Sequence, residues 1–341
     1  MERLTVTGVT EVLVGSGLPE EPLPRRSNRQ RAVVLTQPAV ASHAAVVQGR
    51  LADSGLETKV LVLPDREAAK TLAVAESVYE ELSEFGVTRE DTVIGVGGGS
   101  VTDLAGFVAA TWLRGVEAVH VPTTLLGAVD ASIGGKTGVN LGGKNLVGVF
   151  WHPTRVLIDV DVLSALPPHL IREGLAESFK AGLIGDSTIC RDLRANGAEA
   201  ALADIVVRAI RVKATIVEKD ERESGNRAFL NLGHTIGHAI EFASGLSHGE
   251  SVAVGLVAAM AVSEERLGFS ESRFVEESLR TLGLPVTAGG VDADLVRQLL
   301  RHDKKQDAGG LRMVLLESIE HPTLVHVSRD DVEIGLNAVG L

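Results

Sequence analysis

The stretch Asn231–Glu250, NLGHTIGHAIEFASGLSHGE, carries three histidines whose spacing could do chemistry. His234 and His238 are four apart, and Leu232, Ile236, Ala239 and Ile240 supply helical apolar spacing, so both imidazoles project from adjacent turns of one helix face. That offers two nitrogen ligands, or one ligand and one acid–base group. His248, flanked by Gly249 and Glu250, is predicted in the turn ahead of an apolar helix over Ser251–Arg266. Imidazole suits zinc, and a carboxylate from elsewhere would complete a site open to substrate. The competing reading makes His234 and His238 plain helix-packing residues. A third histidine in the adjoining turn favours metal.

A second kind of chemistry is legible upstream. A buried strand, Asp91–Val96, runs into Gly97-Gly98-Gly99-Ser100 and then a small-residue helix, Val101–Trp112. Such a turn lets backbone N–H groups and a helix N-terminus approach a phosphate. Residue 102 is threonine, so the full G-x-G-x-x-G pattern is absent and a tight structural turn competes with dinucleotide binding. The next segment, VPTTLLGAVDASIGGKTGVNLGGKNLVGVFW, adds the turns Gly134-Gly135-Lys136 and Gly142-Gly143-Lys144. Two lysines among glycines, with Thr123, Thr124 and Asp130 in one loop-rich stretch, read as a binding surface.

The elements that must position these groups alternate. Thr5–Val14, Ala32–Leu35 and Lys59–Leu63 are predicted strands, with helices over Ala39–Ser54 and Glu67–Phe85, the signature of an α/β layered domain. After a strand over Arg155–Asp159, Pro167-Pro168 marks the domain boundary. Beyond it the chain reads helical: His169–Ile184 with Glu177 and Lys180 on neighbouring face positions, expected as a surface ion pair; Ala200–Lys219 carrying Lys213; then Glu271–Leu282 and Asp294–Arg301. An Asp303-Lys304-Lys305 turn precedes a hairpin of Arg312–Glu317 with Leu324–Val327.

Composition sets limits. At 341 residues with 45% hydrophobic content, two domains with ample core are expected. Acidic residues outnumber basic ones, 45 to 33, and the net charge of −12 argues against a nucleic-acid partner but not against a phosphorylated small molecule. The single cysteine, Cys190, excludes an intrachain disulfide, fits a cytoplasmic setting and reads as a packing residue. The N-terminus alternates like a strand and lacks the apolar run of a signal peptide, and no apolar run suits a membrane span.

In order, the blocks PDREAAKT, GGGSVTDLAGFVAATWLRG, VPTTLLGAVDASIGGKTGVN, GKNLVGVFWHP, GLAESFKAG, VKA, FLNLGHTIGHAIE, SHGESVAVG and HDKK resemble the dehydroquinate synthase family of sugar-phosphate cyclases, from roughly Leu63 to Leu316. The resemblance implies a Rossmann-like NAD-binding α/β domain over residues 1–167, a mainly helical metal- and substrate-binding domain over 168–341, and a homodimer. It implies conversion of 3-deoxy-D-arabino-heptulosonate 7-phosphate to 3-dehydroquinate and phosphate, with NAD and zinc or cobalt. Metal ligands would be Glu177, His234 and His248, which turns His238 toward substrate. NAD contacts would come from Asp65, Glu67 and Lys70, from Gly99, Ser100, Val101, Thr102 and Asp103, from Thr123, Thr124, Lys136 and Lys144, and from Val162, Leu163, Ser164 and Ala165. Substrate contacts would be Asp130, Lys136, Asn145, Lys180, Lys213, Arg227, Asn231, His238, Lys304 and Lys305, and Arg114 resembles an arginine given to the neighbouring subunit's phosphate site. Two departures stand out: the family usually has glycine at Arg66, and the Asn140–Lys144 loop is one residue shorter. A cyclase acting on an aminated substrate would keep almost the same residues. A metal- and NAD-dependent polyol dehydrogenase would release NADH and would not need Arg227 or the Lys304-Lys305 pair, and a non-catalytic nucleotide-binding module would not need the metal set.

Overall fold

The computed structural model of this chain describes residues 1–19, 30–223, 225–306 and 310–341, with the backbone alone for 302–306. It divides into two compact units, Met1–Leu166 and Pro167–Leu341.

The first unit contains β1 (Glu2–Val6), β2 (Thr10–Gly15), β3 (Arg31–Thr36), α1 (Ala41–Asp53), β4 (Glu57–Val62), α2 (Leu72–Phe85), β5 (Thr92–Gly97), α3 (Gly99–Thr111), β6 (Glu117–Pro122), β7 (Lys136–Val139), β8 (Val147–Phe150), β9 (Arg155–Asp159) and α4 (Val160–Ser164). Seven strands form one sheet in the order β1-β2-β9-β6-β5-β3-β4, parallel except for the antiparallel β1–β2 pair, while β7 and β8 form a separate hairpin. Alternation puts Val33 and Leu35 of β3 into a core with α2 and α3, and Ala32 and Val34 into a second core with α1. The sheet is therefore covered on both faces, as a parallel sheet requires. This is the expected α/β plan.

Several local expectations are corrected. Thr5–Val14 is not one strand: Thr7 and Gly8, with φ of 53° and 70°, reverse the chain between β1 and β2. Positive φ at both central residues marks a hairpin turn normally built on Asn-Gly, and threonine disguised it. The loop-rich binding stretch contains the β7–β8 hairpin, and Gly127–Ala131 within it winds as a π-helical turn. Glu67–Phe85 is not one helix either, because a 3₁₀ turn over Arg66–Ala69 precedes α2.

The second unit contains α5 (Pro168–Gly185), α6 (Ser187–Asn196), α7 (Leu202–Lys219), α8 (His234–Ala243), α9 (His248–Leu267), α10 (Ser272–Thr281), α11 (Ala293–Gln306), the antiparallel hairpin β10 (Arg312–Ser318) and β11 (His321–His326), and α12 (Arg329–Ala338). Pro168 opens α5, where its missing N–H costs nothing. Helix α9 is buried on almost every side, with α5, α8, α10, α12 and β10 packed around it. Residues 303–305 continue α11 and form no turn; the side chains of Lys304 and Lys305 lie outside the described residues.

Candidate active site

Three helices of the second unit bring Glu177, His234 and His248 together, and glycines let them do so. Helix α9 starts at His248, not after it, on a capping box in which Ser247 and Glu250 satisfy each other's backbone N–H groups. Its next residue, Gly249, lies so close to α5 that a Cβ there would be 2.5 Å from the Glu173 Cα. That contact sets His248 beside Glu177, one turn further along α5. Helix α8 lies equally close: a Cβ on Gly255 would be 1.9 Å from the Gly233 carbonyl oxygen, and one on Gly237 would be 2.8 Å from that of Ser251. Gly233 itself, at φ 79°, starts α8 and breaks it from the 3₁₀ turn Asn226–Asn231. Arg227 therefore sits in that separate turn, and the histidine helix does not reach back to it.

Glu177 Oε1 lies 3.4 Å from His234 Nε2 and 3.4 Å from His248 Nε2. Ligands about 2.1 Å from a tetrahedral zinc are separated by roughly 3.4 Å. Oε1 is buried with no hydrogen-bond partner in the protein, an arrangement that costs free energy unless something cationic fills the gap. The donor set thus fits zinc or cobalt. His234 Nδ1 lies 3.1 Å from the Leu232 carbonyl oxygen, which can only accept, so Nδ1 carries the proton and Nε2 offers a lone pair. Burial, with the charge of Lys180, lowers the His234 pKa to about 3 and keeps that ring neutral. Burial would raise the Glu177 carboxyl, but Lys180, with Nζ 2.5 Å from Oε2, and the two histidines hold it well below the usual carboxylate range. Burial would lower His248, but the carboxylates of Glu177 and Glu241 on either side of the ring outweigh it and raise the pKa to about 10. The Glu177–Lys180 pair, expected on the surface, is buried at 3% exposure for each residue.

His238 follows one turn later on α8, exposed, its ring centroid 4.9 Å from that of His234. Sequence reasoning missed Glu241, whose Oε2 lies 3.2 Å from His248 Nδ1. Its signal was the helical i, i+3 spacing after His238. Lys213 is buried on α7, and Arg227 is only 1% exposed, its Nη1 donating to the Glu221 carbonyl and its backbone N–H to Asp220 Oδ2 at 2.9 Å. Asn231 is exposed and donates to Glu223. Cys190 is buried, its thiol pushed up chiefly by burial, which makes it a poor nucleophile.

In the first unit the glycine turn follows β5, with Gly98 capping α3, so the first N–H groups of α3 have no acceptor within the helix. Gly97 is fixed to the neighbouring strand end, its carbonyl accepting from Thr123 N–H at 2.9 Å. Thr123 Oγ1 is buried without a hydrogen-bond partner. Thr123 and Val162, from opposite ends of the expected NAD set, line one cavity of about 150 Å³ with Val121, Asp159 and His43. His43 Nδ1 is likewise buried and unpartnered, and sequence gave no sign of it. Leu163 and Ser164 belong to α4 and Ala165 ends it. These features fit a dinucleotide at the carboxyl ends of the strands. Elsewhere in the expected set, Lys70 Nζ lies 2.6 Å from Asp103 Oδ2 and 2.5 Å from Asn145 Oδ1, while Glu67 accepts from Asn140. Burial raises Asp103 to about 6 against the pull of Lys70. Asp65 and Glu67 are exposed beside Arg66, which takes φ 51°. That conformation favours glycine, so the unusual residue sits at a strained position. Thr102 Oγ1 donates to the Gly99 carbonyl, Thr124 Oγ1 accepts from Gly127, and Asp130 lies within the π-helical turn. Lys136 and Lys144 are exposed, as is Arg114 at φ 67°.

Comparison with known proteins adds three findings. Residues 60–173 match the family model described as 3-dehydroquinate synthase N-terminal, and residues 174–306 the one described as 3-dehydroquinate synthase C-terminal. The 3-dehydroquinate synthase of Mycobacterium leprae is 43% identical over 91% of this chain and 89% of its own. Among solved structures, a 2-deoxy-scyllo-inosose synthase complexed with carbaglucose-6-phosphate, NAD+ and Co2+ matches with a TM-score of 0.86 at 28% identity over 96% of each chain. A 2-epi-5-epi-valiolone synthase from Streptomyces hygroscopicus subsp. jinggangensis 5008, with NAD+ and Zn2+ bound, matches with a TM-score of 0.87 at 27% identity over 99% of this chain and 98% of its own.

Proposed function

The chain belongs to the 3-dehydroquinate synthase family, and we propose that it converts 3-deoxy-D-arabino-heptulosonate 7-phosphate to 3-dehydroquinate and phosphate, using NAD and a divalent metal. The single observation that carries the chemistry is the orphaned Glu177 Oε1 facing two imidazole nitrogens at tetrahedral-ligand spacing.

When bound, NAD supplies a hydride acceptor and donor, and the divalent ion supplies Lewis-acid charge beside the alcohol to be oxidised. Glu177, His234 and His248 would hold the ion. Lys180 keeps Glu177 ionised and turned toward the histidines. Exposed His238 moves the proton of the substrate hydroxyl. Oxidation next to a C–H bond acidifies it, so phosphate leaves by elimination, with its own dianion as the base. Arg227 holds that phosphate, its buried fork suited to a dianion. Lys213, Asn231, Asp130, Lys136 and Asn145 orient the carboxylate and hydroxyls. The glycine turn, Lys70, Asp103, Thr123, Thr124, Lys144 and the α4 residues hold NAD. The assembly is a homodimer to which Arg114 contributes across the interface, and the setting is cytoplasmic; among the described residues no helix is long and apolar enough to cross a membrane.

An assay of phosphate release with the plain heptulosonate phosphate and its aminated counterpart tests this. Faster release from the plain substrate is expected. Preference for the aminated one would move the chain to secondary metabolism, and release from neither would remove the cyclase reading.

A further inference from the structure

We propose that the chain carries a second divalent-metal position, formed by His238, Glu241 and the Nδ1 side of His248, whose filling by surplus zinc stops turnover. Side-chain ligand atoms of these three residues lie within 4.8 Å of one another, a second cluster sharing His248 with the first. Glu241 Oε2 is 3.2 Å from His248 Nδ1, close to the separation of two ligands on one tetrahedral zinc. The His238 ring centroid is 5.8 Å from that of His248, with the planes inclined by 36°.

One imidazole has two nitrogens, and here a carboxylate faces each: Glu177 faces Nε2 and Glu241 faces Nδ1. With the first ion on Nε2, Nδ1 would keep its proton and donate a hydrogen bond to Glu241 Oε2. A second ion on Nδ1 displaces that proton to solvent, and His248 becomes an imidazolate bridging two ions. Glu177, Glu241 and the imidazolate then contribute three negative charges against four positive ones, and water or chloride completes each shell. The extra deprotonation makes this position weaker than the first. It is also more open, since His238 is exposed and Glu241 and His248 are half-buried, whereas Glu177 and His234 are buried. Zinc therefore exchanges here with the medium. Once His238 is a ligand it no longer moves a proton for substrate, a consequence that rests on the role given to His238 above.

The test titrates zinc chloride into the one-zinc protein without substrate, reading stoichiometry by native mass spectrometry, and in parallel follows phosphate release. Wild type should take a second zinc and lose activity over the same range. Glu241→Ala should keep the first zinc but bind the second at least about tenfold more weakly, with inhibition moving to correspondingly higher zinc. If Glu241→Ala loses the first zinc as well, Glu241→Gln, which still accepts from Nδ1, replaces it and should show the same weakening. A wild type that stops at one zinc, or a Glu241 variant that takes the second as tightly as wild type, overturns the proposal. Because stoichiometry is read without turnover, the result is independent of which substrate the enzyme uses.

Discussion

Lys180 Nζ lies 2.5 Å from Glu177 Oε2, so a buried cation neutralises one oxygen of this carboxylate while the other is left to face His234 and His248. Lysine thus keeps the anion in place when no metal is there, and repels the metal when it arrives. Lys180→Met should destabilise the metal-free protein by about 3–5 kcal/mol, the cost of breaking a buried pair. The same change should bind zinc more tightly and gain a larger rise in Tm from it than wild type. Thermal unfolding with and without zinc after chelation measures both, and an equal zinc-induced rise in the two proteins would show that Lys180 does not act on the metal position.

Glycine contacts between α8 and α9 set the distances among the histidines. Gly255→Ala puts a methyl 1.9 Å from the Gly233 carbonyl, which neither helix can absorb without moving. Metal content should fall below one per chain, and stability by more than the 1–3 kcal/mol of ordinary overpacking. Gly268→Ala, at a C-cap with open space around it, should keep full metal content despite its positive φ. Full occupancy in Gly255→Ala would show that the helix spacing is not what assembles the site.

Acid lability should trace partly to His120, buried in β6, where burial lowers its pKa from 6.5 to about 4. Between those values the unfolded chain binds a proton that the folded chain does not. Its contribution to stability is therefore present above pH 6.5 and is lost as pH falls toward 4, over a span worth roughly 3 kcal/mol. His120→Gln should flatten the fall in unfolding free energy over that range. An unchanged slope in urea melts at stepped pH would assign the lability to carboxylates instead.

The α/β alternation, the glycine turn and the histidine helix were legible because each rests on local spacing: apolar periodicity for the sheet and helices, glycine after β5, and i, i+4 for His234 and His238. What escaped depends on contacts distant in sequence. Nothing local separates a buried Glu177–Lys180 pair from a surface one, because the difference is what packs over α5. Arg227 sits seven residues before His234, yet the left-handed Gly233 separates its 3₁₀ turn from α8, which residue spacing alone does not reveal. Thr7 concealed a hairpin by occupying a position that asparagine usually takes. Arg66 shows the converse: the departure was visible in sequence, and its φ of 51° gives the reason glycine is usual there.

Following phosphate release and NADH absorbance together shows whether NAD takes part in each cycle without being consumed. The assay contains zinc, with NAD well below the concentration of the heptulosonate phosphate. Many phosphates should be released per NAD supplied, with no matching accumulation of NADH. One NADH formed per product, with release stopping when NAD is exhausted, would rule out a catalytic role for NAD and make the chain a polyol dehydrogenase.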